Sequence, residues 1–560
     1  MSNPAKMAEP GTVRGDSAVP SWSMARVVTA SSAGTAFEWY DFFIFGSLTP
    51  VIAKVFLAAL DPTSALVAAL ALFAVGFAFR PLGAIIFGAM GDRVGRKATF
   101  LTTVSLMGGA TFAIGLLPTY EQVGTLAPIL LIFLRICQGT ALGGEYGGAA
   151  IYVAEHAAND RRGAATGWIQ SSASFGLLAA LLIIFGTRTW LGEEAFATWG
   201  WRIPFLLSVI LLAISVWMRV KLSESPHFAK LREEGQVSKT PLREAFANRD
   251  SLGRVAIAFF GIMCAQGAVW YFSFFYMQVF LEKSLGLAAT TKDLLLIIMT
   301  VVSAPLYVFF GWLSDRVGRK PVMLAGMLLA LALYFPGSHL IARAANPDRV
   351  AAHRAMPVVV ETDLATCSAQ FDPTGTAKFV TACDIAKSAL VNRGVSYTTR
   401  ASADGQTRVV AGPNVAPIGS GEGLSAADVK ALKSKSAEAI NAELAAAGYP
   451  TSADPAKVDM PMLLAVLLLF VVAATALYGP QAAALVEMFP TRIRYTAMSL
   501  PYHVGTGWVG GFLPVTSFAI VALTGDIYAG LWYAVGFTAL SAIVTIFFLK
   551  ETHGKPLEEC

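Results

Sequence analysis

Charge is scarce in this chain: only 14% of its 560 residues are Asp, Glu, Lys or Arg, where a soluble protein carries about 25%. With 55% hydrophobic residues and a mean hydropathy of +0.59, that deficit excludes an ordinary soluble globular protein. Cysteine is rare too, and five dispersed residues rule out a disulfide scaffold. A basic tract is also missing. The net charge of +5 comes from scattered Lys and Arg, so no nucleic-acid partner is expected. The stretch at 1–25 is polar and rich in Pro, Gly and Ser and has no apolar h-region. It reads as a disordered cytoplasmic tail and not as a cleaved signal peptide.

What the chain does have is long uncharged runs. Met462 to Gln481 (MLLAVLLLFVVAATALYGPQ) reaches the roughly 20 residues, at about 1.5 Å each, that cross a hydrocarbon core. Counting such runs between charged or Gly/Pro punctuation gives twelve segments: 26–57, 64–90, 98–118, 124–157, 163–187, 201–222, 254–284, 289–313, 320–343, 458–487, 495–523 and 527–550. The fold class expected is therefore an all-α polytopic membrane protein. Lys and Arg collect after the second, fourth, sixth, eighth and tenth segments, at Arg93/Arg96/Lys97, Arg161/Arg162, Arg219 to Arg254, Arg316/Arg319/Lys320 and Arg492/Arg494. The positive-inside rule then puts both termini in the cytoplasm.

The stretch between the ninth and tenth segments holds 11 Lys/Arg and 12 Asp/Glu between 344 and 459, and at over a hundred residues it is too long for an ordinary loop. By parity it is extracytoplasmic, and its patterning suggests a small α+β domain. Strands are expected at 357–361, 395–401 and 407–411, the last two joined by an Asp404-Gly405 hairpin turn. Helices are expected at 384–393 and 426–447, the latter opened by Ser425 with Asp428. Cys367 and Cys383, the domain's only cysteines, are expected to form a disulfide, with two free buried thiols as the alternative. His353 is the domain's only histidine, and it shows no metal-spaced cluster, Gly-Xaa-Ser-Xaa-Gly motif or phosphate loop. No metal, no cofactor and no catalytic residue is expected, although a membrane-anchored receptor using this domain is a competing possibility.

An internal repeat organises the rest. Gly88-Ala-Met-Gly-Asp92-Arg93-Val-Gly95-Arg96-Lys97 returns 223 positions later as Gly311-Trp-Leu-Ser-Asp315-Arg316-Val-Gly318-Arg319-Lys320. Glu155-x6-Arg162 returns as Glu487-x6-Arg494. Asp92 to Glu155 spans 63 positions and Asp315 to Glu487 spans 172, so the second half holds 109 extra residues, the size of the polar insert. Two six-helix halves imply a substrate site at their interface near the midplane. The organisation expected is a tail at 1–25, a six-helix half at 26–222, a cytoplasmic linker at 223–253, helices seven to nine at 254–343, the insert at 344–457, helices ten to twelve at 458–550 and a cytoplasmic tail at 551–560.

The doubled Gly-x3-Asp-Arg-x-Gly-Arg-Lys signature resembles the loop motif of the major facilitator superfamily. Within it, Gly34 to Gly46, Arg80-Pro81-Leu-Gly83, Arg135-Ile-Cys-Gln138-Gly139, Gly143 to Gly148 and Gly200 to Phe205 resemble the metabolite:proton symporter family. The resemblance implies a proton-coupled symporter in a bacterial inner membrane. The large loop between helices nine and ten is most similar to the haloacid and short-chain monocarboxylate branch. The partners so implied are protons, a small carboxylate and the lipid bilayer, and the protein is expected to be a monomer.

A charge near the bilayer centre costs at least about 2.5–3.5 kcal/mol, which makes Glu38, Asp41, Arg135 and Glu145 functional candidates. Asp41 and Arg135 lie in the middle third of the first and fourth segments and are expected to meet. The resemblance implies that Asp41, with Glu38 as rival, carries the proton, while Arg135 binds a substrate carboxylate through its planar fork. A permanent Asp41–Arg135 ion pair is the structural alternative. Glu145 and Arg80 share a depth and are expected to neutralise one another. Gln138, Tyr146, Gln170, Gln266, Tyr271, Tyr478, Gln481 and His503 are the polar residues expected to complete a substrate cavity. Asp92, Arg93, Arg96, Glu155 and Arg162, mirrored by Asp315, Arg316, Arg319, Glu487 and Arg494, are expected to gate the cytoplasmic side through ion pairs. The cargo favoured is a short monocarboxylate or haloacid. Di- and tricarboxylates, shikimate, betaine/proline and uncoupled facilitation remain alternatives.

Overall fold

A computed structural model describes residues 24–58, 69, 72, 75–220, 224–368 and 379–557. The expected tail at 1–25 falls almost wholly outside the described residues, as do the start of the second segment and the last three residues.

The chain is dominated by long helices. In chain order these are α1 (Met24–Ser47), α2 (Arg80–Arg93), α3 (Arg96–Leu116), α4 (Leu126–His156), α5 (Arg162–Leu191), α6 (Arg202–Val220), α7 (Arg249–Ser284), α8 (Ala289–Val317) and α9 (Arg319–Ala345). After the insert come α13 (Met460–Met488), α14 (Arg494–Thr524) and α15 (Leu531–Phe547). Among the described residues nine helices are long and apolar enough to cross a membrane. The shorter α15, the partly described α2 and the charge-bearing α1 complete the twelve that the segment pattern predicts. Large apolar side chains such as Phe133, Phe185, Trp190, Trp532 and Phe547 stay exposed on the outer surface, as a protein bathed in lipid requires.

The two halves meet along two seams, α5 on α8 and α2 on α14. The repeated motif sits at the sharp turns between α2 and α3 and between α8 and α9. Its second glycine is required there, because Gly95 (φ +131°) and Gly318 (φ +105°) open the following helices from conformations that L side chains rarely adopt.

The insert is a compact unit of three helices and a sheet. It contains α10 (Pro347–Ala355), β1 (Val358–Thr362), α11 (Ala382–Arg393), β2 (Tyr397–Ala401), β3 (Thr407–Ala411), β4 (Asn414–Ile418) and α12 (Ala426–Ala446). Strand order is β2-β1-β3-β4, with β1 parallel to β2 and antiparallel to β3. One expectation needs correction and one strand was missed. The Asp404-Gly405 turn forms, with Asp404 accepting the Gln406 N–H at 3.1 Å, but it does not close a hairpin. The apolar Val358-Val359-Val360 run of β1 takes the central place between β2 and β3 instead. β4 was not expected, since Pro417 lies inside it. As an edge strand it tolerates a residue with no N–H to donate. Ser425 caps α12 by accepting from Asp428 N, as its spacing predicts. Cys367 and Cys383 are disulfide-bonded, with Cα atoms 5.2 Å apart.

The insert rests on the second half alone among the contacts described. Tyr397 N donates to Gly525 O at 2.7 Å and its hydroxyl to Ala522 O at 2.8 Å. Its two ends are neighbours, because Asp459 N donates to Ala344 O at 2.9 Å.

Candidate functional site

Buried polar groups gather in two places, one at the helix ends farthest from the insert and one inside the bundle.

At the helix ends the repeat builds two matching ion networks, every charge in them buried. Arg96 Nη1 contacts Asp92 at 2.9 Å, and Glu155 accepts from Arg494 at 2.7 Å with Arg96 at 3.9 Å. In the mirror network Arg319 lies 2.6 Å from Asp315 and 3.1 Å from Glu487, which also accepts from Arg162 at 2.8 Å. The pairs Glu155–Arg494 and Arg162–Glu487 cross between the halves. So do the aspartates. Asp92 accepts the backbone N–H groups of Tyr495 (3.2 Å) and Thr496 (2.8 Å) at the start of α14, and Asp315 accepts those of Gly163 (2.8 Å) and Ala164 (2.7 Å) at the start of α5. Each carboxylate thus satisfies a helix N-terminus of the opposite half.

Arg93 and Arg316 are exceptions to the expected set. Both are exposed and outside the network, since one residue's rotation from the Asp92 and Asp315 faces turns them outward. Arg316 instead packs 4.1 Å from the Trp312 ring. The sequence reading also missed a second layer that repeats as faithfully. Glu224 accepts from the N–H groups of Arg96 (3.1 Å) and Lys97 (3.3 Å), and Glu551 from those of Arg319 (2.9 Å) and Lys320 (3.0 Å). The adjacent Ser225 and Thr552 donate to Glu155 (2.5 Å) and Glu487 (2.7 Å). A Glu-Ser dipeptide after the sixth segment and a Glu-Thr dipeptide after the twelfth were the available signal. Burial opposes the Glu551 charge, yet the N–H groups of His553, Arg319, Lys320 and Thr552 hold its carboxyl below the usual range.

Inside the bundle the charges are arranged differently from expectation. Asp41 and Arg135 form no ion pair. Arg135 donates to Gln138 Oε1 at 2.8 Å and to Leu72 O at 3.3 Å and packs 4.0 Å from the Phe45 ring, while Gln138 donates on to Thr111 at 2.7 Å. Thr111 lies beside the Asp41 carboxyl, so a Thr–Gln pair separates the two charges. Glu145 does not pair with Arg80 either. Its partner is Arg219 from the end of α6, at 2.5 Å, and Thr103 donates to its other oxygen at 2.9 Å.

Arg80 is therefore left over. It is 2% exposed, its Nε and Nη2 have no hydrogen-bond partner among the described residues, and it forms no ion pair there. Its guanidinium lies 4.4 Å from the Phe77 ring and 5.0 Å from that of Phe42, the Tyr271 hydroxyl is a hydrogen-bonding neighbour, and His503 faces it. From Tyr271 an aromatic wall runs through Trp270 to Tyr307 and Tyr478. Trp270 Nε1 donates to the Tyr307 hydroxyl at 2.8 Å, and the Tyr478 and Tyr502 hydroxyls are 2.9 Å apart. Tyr502 stacks on Tyr146 with ring centroids 3.7 Å apart, and Gln170 donates to the Tyr146 hydroxyl at 2.7 Å.

Deep in the bundle several buried atoms have no hydrogen-bond partner among the described residues: Gln170 Oε1, Gln266 Oε1, both ring nitrogens of His503, Glu38 Oε2 and Asp41 Oδ1, while Gln481 lies beside the Tyr146 hydroxyl. Buried polar groups are ordinarily satisfied, so these atoms are free to take hydrogen bonds from a ligand or from water. On the outer side of Trp270, toward the insert end of the bundle, lies a cavity of about 340 Å³. Phe43, Ser47, Ser174, Phe275, Gln278 and Thr300 are among the residues lining it.

Comparison with known proteins gives this arrangement its family. Residues 32–341 match the Major Facilitator Superfamily, and residues 440–560 match the description "Sugar (and other) transporter". The chain belongs to the major facilitator superfamily. It is a multi-pass membrane protein of a family of transporters. Among curated relatives, the glycine betaine/proline/ectoine/pipecolic acid transporter OusA of Dickeya dadantii is 36% identical over 329 residues, 57% of this chain and 65% of that protein. The proline/betaine transporter of Escherichia coli K12 is 35% identical over 347 residues, 60% of this chain and 68% of that protein. The match to the first thus spans just under two thirds of the relative's length. Among solved structures, a double Trp mutant of XylE superposes with a TM-score of 0.63 at 17% identity, covering 96% of this chain and 98% of that one. The proton:xylose symporter XylE bound to 6-bromo-6-deoxy-D-glucose gives 0.58 at 18%, with the same coverage. These share the fold.

Proposed function

We propose that this transporter is a proton-coupled symporter importing a compact zwitterion, a carboxylate joined to an alkylated ammonium, the class to which betaine and proline belong. The observation that carries this is Arg80, a buried guanidinium with open donors set beside an aromatic wall. A carboxylate takes the guanidinium fork bidentately. An alkylated ammonium, which has few or no N–H groups to offer, is held by the faces of Trp and Tyr through cation–π attraction. Trp270, Tyr271, Tyr307, Tyr478 and Tyr502 supply those faces, and the similarity to proteins named for betaine and proline transport supports the same class.

A short monocarboxylate or haloacid, the cargo favoured from sequence, ranks second. It would engage the arginine and leave the aromatic wall without a partner. Arg80 takes the carboxylate-binding role in place of Arg135, whose donors already serve Gln138 and Leu72. Asp41 and Glu38 are the proton carriers, because each holds one buried carboxyl oxygen with no donor among the described residues, an arrangement that a carried proton completes.

In this reading the ion networks face the cytoplasm, both termini lie there and the insert is extracytoplasmic, following the distribution of Lys and Arg. The closed networks and the cavity at the opposite end then describe an outward-facing state of an alternating-access cycle. Uptake into proteoliposomes with and without an imposed pH gradient tests the proposal. Gradient-driven accumulation of radiolabelled betaine or proline, unaffected by acetate-like acids, is the expected result. Accumulation of simple carboxylates with no competition by betaine would overturn it.

A further inference from the structure

A second cavity, of about 180 Å³, lies far from the transport site, where the insert meets the ends of α7 and α9 and the turn before α15. Its lining is basic. His339 and Arg343 of α9 and Arg349, His353 and Arg354 of α10 all contribute, and no Asp or Glu is among the described lining residues. Asp526, held by the Tyr528 N–H at 2.9 Å, acts on both histidines from that turn.

Elsewhere on the insert three basic side chains find acids: Arg400 pairs with Glu361, Arg408 with Asp404, and Lys457 with Asp348 at 2.7 Å. Arg343, Arg349 and Arg354 have no ion pair among the described residues. Arg349 is the most telling of the three. It is 6% exposed, its Nη1 donates to Ser284 O at 2.6 Å, and its Nε is buried without a partner. Burial and the neighbouring Arg393 both disfavour its charge.

We propose that this junction cavity binds a phosphate-type oxyanion, held by Arg343, Arg349 and Arg354 with His339 and His353 beside them. One guanidinium fork suffices for a carboxylate. Three guanidiniums and two imidazoles around one space suit a group with oxygens in several directions. The remaining lining, including Ala342, Val350 and Ile527, is apolar, and the Tyr528 ring packs 4.0 Å from that of His339. Free phosphate and the phosphate of an anionic lipid headgroup share the required chemistry. Because the cationic groups come from both the insert and α9, the anion ties the insert to the bundle.

The test uses the full-length protein in phosphatidylcholine nanodiscs. Thermal unfolding is followed while inorganic phosphate is titrated against sodium chloride of equal ionic strength, and in a second arm phosphatidylglycerol replaces part of the lipid. A saturable rise in Tm with phosphate supports a free oxyanion, and a rise with phosphatidylglycerol alone supports a headgroup. In either case the R343Q/R354Q variant, altered only at the exposed rim, should need about tenfold or more of the probe, or lose the response. R349Q should behave likewise where it folds, and the rim variant decides the matter where it does not. No rise in either arm, or an unchanged response in R343Q/R354Q, overturns the proposal.

Discussion

Arg162 of the first half and Glu487 of the second lie 2.8 Å apart, both buried, and their repeat-related counterparts Arg494 and Glu155 close the same end at 2.7 Å. Each glutamate belongs to one half and takes its arginine from the other. A rocking motion that separates the halves at this end must therefore break both pairs together.

Removing one partner of a buried pair leaves an uncompensated charge, at a cost of about 3–5 kcal/mol. Glu487→Gln should therefore destabilise the closed end and shift the population toward the state open at the ion-network end. Cysteines placed on either side of the seam should become more accessible to a membrane-impermeant thiol reagent in inside-out vesicles, and transport should fall. The charge reversal Arg162→Glu with Glu487→Arg should recover part of the loss, whereas a gate role is refuted if the single and double variants label alike.

These networks were legible in the sequence because acids and bases recur together at fixed spacing, which a rule about positive charge alone does not demand. The core charges were legible only in depth. Helical rise placed Glu145 level with Arg80 and Asp41 level with Arg135, but one chain does not reveal the azimuth of each helix. Arg219, arriving from α6, captures Glu145, and Thr111 and Gln138 stand between Asp41 and Arg135. The insert shows a related limit. β1, β2 and β3 were recognisable from their β-branched runs, yet which strand takes the centre depends on tertiary burial, and Pro417 concealed the edge strand.

Arg80→Lys keeps the charge and loses the planar fork, so substrate affinity should drop at least about tenfold, roughly 1.4 kcal/mol. Arg135→Lys should weaken uptake less, through loosened contact with Gln138. Substrate binding by both variants, measured by quenching of the Trp270 region's fluorescence, separates the two. A larger loss in Arg135→Lys would return the carboxylate role to that residue.

Trp270→Ala removes the aromatic face and the hydrogen bond to Tyr307 while leaving Arg80 in place. A cation–π contact of about 0.5–2 kcal/mol should vanish. Inhibition of uptake by betaine should then weaken more than inhibition by a simple carboxylate. Equal weakening of both would mean that Trp270 only shapes the cavity.

Asp41→Asn keeps size and hydrogen-bonding capacity but carries no exchangeable charge. Accumulation driven by a pH gradient should fail while equilibrium exchange of labelled for unlabelled substrate persists. Continued accumulation against a gradient would move the coupling role to Glu38, which Glu38→Gln then tests.

The insert ends where it begins: Asp459 N donates to Ala344 O at 2.9 Å, so residues 345–456 can be removed and the ends joined by a short linker without displacing α9 or α13. The first half has no such domain at the equivalent place, and in the contacts described the insert grips only the second half, through Tyr397 on α14 and its following turn, Arg349 on α7, and Asn346 and Ala453 on the loop after it, among others. The shortened protein should therefore insert and fold with both ion networks intact. Its Tm should fall, because those outer hydrogen bonds, each worth about 0.5–1.5 kcal/mol, are lost together. Size-exclusion chromatography in detergent and a thermal melt read the two outcomes, and failure to reach the membrane at all would mean that the insert is part of the folding core.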